Sequence, residues 1–204
     1  MLREIIERIR IHTLARFLIV GLLLFMLSIC IFKCGGRKRN YTTQDLVENY
    51  KTRSGQIESL EKYFNSIVPD SVLVDIEFVD DNTLGYFHVI KNNVHDNNWN
   101  IQINDQLVDS LLERLNWSRE TLSTIKSNLD QANCISIRSG DPCNIGFRRR
   151  GSGEYFYNLF DAPIAENLRY NYNDSCTYIL LNETVVLEYG GGTVGPQCFP
   201  DFLK

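Results

Sequence analysis

The sequence predicts an α+β protein: an N-terminal single transmembrane helix, then one domain of antiparallel β-hairpins and a helix pair. Three observations carry this reading. An uncharged run, Phe17 to Phe32, stands near the N-terminus. Further on, segments of period-two apolar residues are joined by turns too short for a crossover, which makes neighbouring strands antiparallel. Between them, two stretches repeat apolar residues at helical spacing.

The N-terminal region divides at its charges. Residues 1–16 form a leader with Arg3, Arg8, Arg10 and Arg16 beside two glutamates. As a helix, residues 17–32 span roughly 24 Å, a little less than the hydrocarbon core, and Arg16 and Lys33 can snorkel to the headgroups. The expected partner of 17–32 is therefore the lipid bilayer. No small-residue cleavage site follows the run, so a cleaved signal peptide fits less well than an anchor closed by Lys33, Arg37, Lys38 and Arg39. Leu27 to Cys30 departs from a lipoprotein processing site in the bulky Ile29. Basic residues balance across the span, so they do not set its orientation. The charged leader is the harder part to translocate, which favours an extracytoplasmic C-terminal domain. Residues 33–55 read as basic flank and stalk, and 56–204 as a soluble α+β domain.

The chain beyond Asn40 has the length of one ordinary domain. A hydrophobic content of 44% excludes a disordered chain, and a net charge of −4 argues against nucleic acid as a partner. Cys134, Cys143, Cys176 and Cys198 lie in the domain and contain no C-x-x-C pair. In an oxidising compartment, Cys134–Cys143 and Cys176–Cys198 close the shortest loops; buried free thiols are the alternative. No ligand spacing points to a metal, and no motif to a cofactor.

Along the domain, Thr42 to Tyr50 reads as a polar helix or stalk interrupted near Ser54 and Gly55. Ile57, Leu60, Phe64 and Ile67 then share a helix face that Pro69 ends. Val72, Val74, Ile76 and Phe78 alternate with Asp75 and Glu77 as a half-buried strand, and Leu84 to Ile90 returns as its hairpin partner. Lys91 to Asn98 reads as an asparagine-rich loop before a short strand at Trp99 to Ile103. Leu107, Val108, Leu111, Leu112 and Leu115 stripe one helix. Ser118 caps the next, which carries Leu122, Ile125 and Leu129, with Trp117 packed between the two. Ile135 and Ile137 begin the last third. Hairpins follow at Ile145–Arg150 with Tyr155–Phe160 and at Thr177–Leu181 with Thr184–Tyr189, separated by a short helix from Pro163 to Tyr170.

Candidate chemistry is sparse. Gly190, Gly192 and Gly195 match G-x-G-x-x-G spacing, but Pro196 follows where a helix would have to begin, so they read as a turn that folds the tail back. Arg148, Arg149 and Arg150 beside Gly151 concentrate positive charge. Alternation places Arg148 and Arg150 on one face and Arg149 on the other. With Tyr155 and Tyr157 they are the binding residues the sequence suggests, for an anionic group or an aromatic-lined peptide or glycan site. Asp75 and Glu77 share a strand face about 7 Å apart, the separation of a two-carboxylate hydrolase, although such pairs are usually solvated.

The expected function is a single-pass, membrane-anchored binding or accessory domain of the cell envelope, with a protein, peptide or glycan partner. Two alternatives stay open: a tethered enzyme using Cys143, His88, Asp75, Glu77 and the arginine turn, and an immunity or protective protein. A pocket joining two of those polar groups would favour the enzyme, and an exposed aromatic patch without them would favour binding.

Overall fold

A computed structural model describes residues 40–191 and 195–201. The sequence-predicted leader, the span 17–32 and the flank to residue 39 lie outside the described residues. Among the described residues, no helix is long and apolar enough to cross a membrane.

The domain opens with α1 (Thr43–Ile67). Thr42 and Asp45 form a reciprocal capping box, the threonine hydroxyl accepting the Asp45 N–H at 3.2 Å and the carboxylate accepting the Thr42 N–H at 3.0 Å. The predicted interruption near Ser54 appears as a non-helical Arg53 (φ −136°, ψ 19°), after which the helix continues. The stalk reading is displaced here, since Leu46 and Tyr50 are buried in the core.

There follow β1 (Val72–Phe78), β2 (Thr83–Lys91), β3 (Val94–Gln102), α2 (Gln106–Leu115), α3 (Arg119–Ala132), β4 (Ser136–Arg138), β5 (Cys143–Arg150), β6 (Gly153–Leu159), a 3₁₀ turn (Glu166–Tyr172), β7 (Tyr178–Leu180) and β8 (Val185–Gly190). The eight strands form one sheet in the order β3-β2-β1-β4-β5-β6-β8-β7, antiparallel at every pairing. The α+β class with antiparallel hairpins and a helix pair is therefore what the chain forms. One strand starts earlier than its composition suggests. Asn92 and Asn93 both take positive φ (52° and 62°), the two-residue turn whose twist suits a hairpin, so the asparagine-rich stretch is the start of edge strand β3 and not a loop.

Alternation gives the sheet two unlike faces. Val74, Ile76, Phe87, Val89, Ile137, Ile145, Tyr155, Tyr157 and Leu187 are buried in a common core with residues of all three α-helices. α1 packs on α3 and on β5 and β6. Trp117, between α2 and α3, donates its indole N–H to the Ile67 carbonyl at 2.9 Å and packs against Phe64 and Phe87. It thereby joins α1 and the helix pair to β2.

The C-terminal segment folds back as expected. Cys176 and Cys198 are disulfide-bonded, Phe199 packs on Tyr155 and Tyr189, and the Asp201 carboxylate accepts the Thr43 N–H at 2.7 Å. The other predicted pairing, Cys134–Cys143, does not form, and both thiols are free and buried. The register explains this. Ser136 lies opposite Gly146 and Arg138 opposite Asn144, so the two cysteines sit at opposite ends of the β4–β5 hairpin. At about 3.3 Å per residue that separation far exceeds disulfide reach.

Candidate functional site

The sheet face turned away from the helices carries a concentration of polar side chains that only the strand register brings together. One row runs Trp99, Tyr86, Glu77, Ser136, Gly146, Phe156 and Glu188, each opposite the next across neighbouring strands. The next row runs Asn97, His88, Asp75, Arg138, Asn144 and Asn158. Most members of both rows line a groove of about 870 Å³, the size of a small-molecule or oligomer-segment site.

Beneath the groove lies a carboxyl pair. Glu77 is 5% exposed and Glu154 2%. Arg149 donates from Nε to Glu77 at 3.0 Å and also from Nη2, and the same Nη2 lies 3.3 Å from Glu154. The Ser136 hydroxyl donates to Glu154 at 2.7 Å. The sequence makes room for this pair with strand glycines. A Cβ on Gly146 would fall 1.7 Å from Glu154 Oε1, and one on Gly85 would fall 2.2 Å from Glu77 Oε1. The carboxyl groups occupy the volume two side chains would otherwise fill.

Burial sets the protonation of these groups. Together with the charge of Glu77, it pushes Glu154 up to about 8, against Arg149 and the Ser136 hydrogen bond, which favour the carboxylate. Burial also pushes Asp75 up to about 6, although the neighbouring Arg138 opposes it. Tyr86 is held well above the usual phenol range by burial and by the surrounding carboxylates. His88 is shifted down by burial and by Arg138, and its Nε2 is buried with no hydrogen-bond partner.

The groove wall is of a different kind. Tyr86 stacks on His88 with centroids 4.9 Å apart, and Trp99 meets the His88 ring edge-on at 4.3 Å. Trp99 is 60% exposed. On the other side, Asn144 donates to Asn158 at 2.9 Å and Asn158 donates to Glu188 at 2.8 Å, a chain of side chains offering both donors and acceptors.

The five sequence-suggested binding residues do not gather on one surface. Only Arg149 reaches the groove. Arg148 turns the other way, bonding the Asn133 carbonyl at 3.0 Å and lying over the Tyr41 and Phe147 rings. Arg150 bonds the Tyr41 carbonyl at 3.1 Å and pairs with Asp201 at 3.5 Å. Tyr155 and Tyr157 are both 0% exposed, their hydroxyls donating to Tyr41 O at 3.0 Å and Leu46 O at 2.8 Å. The alternation of the three arginines and the pairing of the turn with Glu154 are legible in the sequence, and Arg149 makes that pair at 3.3 Å; the partners of Arg148 and Arg150 are not. Asp75 and Glu77 do share the groove face, but Glu77 is spent on Arg149.

Trp99, Arg138, Asn144, Asn158 and Glu188 carry no motif that marks them in the sequence. The available signal was the polar half of β6, where Glu154 and Asn158 alternate with buried Tyr155 and Tyr157. Among the described residues, no group of three or more His, Cys, Asp or Glu is placed to hold a metal ion. No protein-family model, curated protein or solved structure matches this chain.

Proposed function

We propose that this chain is a membrane-anchored binding protein of the cell envelope whose groove holds a segment of glycan. The observation that carries the reading is the exposed Trp99 ring standing beside a ladder of amide and carboxyl side chains on one open sheet face. A pyranose presents an apolar C–H face and a rim of hydroxyls. An indole accepts the first, and asparagines and carboxylates, which donate or accept as required, match the second. The open form of the groove suits a chain that enters and leaves it. The envelope location rests on the apolar run 17–32 and is supported by the Cys176–Cys198 disulfide, a bond that persists in oxidising compartments.

The test is a glycan array probed with the full-length chain, followed by calorimetric titration of whatever binds. Trp99→Ala and Asn158→Ala are each expected to weaken binding at least about tenfold, the loss of roughly 1.4 kcal/mol. Absence of any bound glycan, or binding unchanged by both substitutions, would overturn the reading.

A tethered hydrolase is the second reading, and one observation favours it: Asp75, His88 and Arg149 line the same groove, beside a Glu154 whose carboxyl burial pushes upward. Glu154 ranks below a catalytic acid because Ser136 and Arg149 occupy its oxygens and only 2% of the residue is exposed. Release of new reducing ends from a bound glycan, lost in Asp75→Asn, would reverse the order of the two readings.

A further inference from the structure

We infer that the glycan held by this groove bears carboxylates, and that Arg138 is the residue that reads them. The inference rests on the glycan reading and names the class of ligand within it. Arg149, the other guanidinium of the groove, is tied to Glu77 and Glu154. Arg138 lies in the middle of the polar row, directly opposite Asp75 on one side and Asn144 on the other. Among the described residues, it makes no ion pair within 4.0 Å and no side-chain hydrogen bond. It is exposed at the groove wall, so its donor fork is presented to a ligand. A planar guanidinium matches a carboxylate with two parallel hydrogen bonds, and the Asn144 amide beside it supplies another donor.

The titratable groups that line the groove with Arg138 are Asp75 on β1, Tyr86 and His88 on β2, Asp141 in the β4–β5 turn, Arg149 on β5, Glu154 on β6 and Glu188 on β8, with Glu77 on β1 tied to Arg149 beneath them. Burial shifts Asp75 and Glu154 upward, so acidification from mildly alkaline pH neutralises carboxyl groups of the groove while the Arg138 charge stays. A uronate remains ionised through that range. Binding of an acidic glycan therefore strengthens as the pH falls from about 8 toward about 5.5.

The test pairs each acidic oligosaccharide of a panel (galacturonan, alginate and hyaluronan fragments) with its methyl ester, titrated against the full-length chain. The esters keep the sugar and remove the charge. The expected result is at least tenfold tighter binding of an acid than of its ester, a preference abolished in Arg138→Gln and partly kept in Arg138→Lys. Thermal denaturation of both variants reports whether they fold. Esters or neutral glycans bound as tightly as acids, or an acid preference that survives in folded Arg138→Gln, would overturn the inference and leave glycan binding intact. No glycan bound at any pH would overturn both.

Discussion

The two faces of the sheet are made by the same strands and differ in what their polar atoms do. On the helix side, Tyr157 donates to Leu46 O at 2.8 Å and receives the Asn49 amide at 3.1 Å inside the core, while Thr43 Oγ1 and Arg53 Nε on α1 are buried without a hydrogen-bond partner among the described residues. On the groove side the polar groups run in rows from β3 to β8, and the Arg138 guanidinium stands exposed among them with no ion pair or side-chain hydrogen bond to the described residues. Satisfied polar atoms specify a structure, whereas open ones in a concavity are what a ligand needs. The packed core lies on one face and the exposed polar groove on the other.

The largest expected effect lies on the helix face. Phe87 is 0% exposed and packs against Trp117, with ring centroids 6.3 Å apart. Phe87→Ala should cost about 3–5 kcal/mol, through lost transfer energy plus the cavity left between sheet and helices. Urea denaturation measures it. A cost under about 1 kcal/mol would mean that this face does not carry the core.

How far the two faces were legible follows from the same contrast. The apolar face announced itself, because Val74, Ile76, Leu111, Ile125 and Leu187 repeat at the period of their own element, and each element can be read alone. The groove is not a property of any one segment. Asp75 and Glu77 are visible as a same-face pair, but Arg138, Asn144, Asn158 and Glu188 join them only through a strand order in which β1 sits between β2 and β4 and β6 next to β8. No periodicity encodes that order. β3 was read as partly loop because its solvent-facing edge carries Asp96, Asn97 and Asn98 in place of apolar alternation, while its signal was the Asn92-Asn93 turn. The arginine turn drew attention by charge density, yet Arg148 and Arg150 answer to Asn133, Tyr41 and Asp201, partners more distant in sequence than any local reading reaches.

The carboxyl pair at the groove floor belongs to both faces in one respect: it is buried like a core and ionisable like a site. A carboxyl whose folded pKa is raised binds its proton more tightly in the folded state. The stability this confers is fully present below the unfolded value and is lost as pH rises through the folded one. For Glu154 the window runs from 4.5 to about 8, and for Asp75 from 3.8 to about 6. The domain should therefore lose on the order of 3 kcal/mol of stability between pH 5 and pH 8 through Glu154. Glu154→Gln, which keeps a neutral group against Ser136 and removes the titration, should flatten that slope. Equal slopes in the two proteins, read from denaturation midpoints across the range, would show that Glu154 does not titrate in this window.

The smallest expected effect on stability sharpens the contrast most. Trp99 is a large aromatic ring on edge strand β3, 60% exposed, with ring contacts to Tyr86 and His88. Removing a ring of this size from a core costs several kcal/mol, but here most of its surface already meets water, so Trp99→Ala should change stability by no more than about 0.5–1 kcal/mol. An indole this exposed gains little in folding. Denaturation of Trp99→Ala beside Phe87→Ala puts the two faces on one scale. If Trp99→Ala destabilises as much as Phe87→Ala, the indole is part of the fold and the groove loses its apolar wall as an argument for a sugar. If stability holds while glycan binding falls, the difference between the two faces is a difference of function.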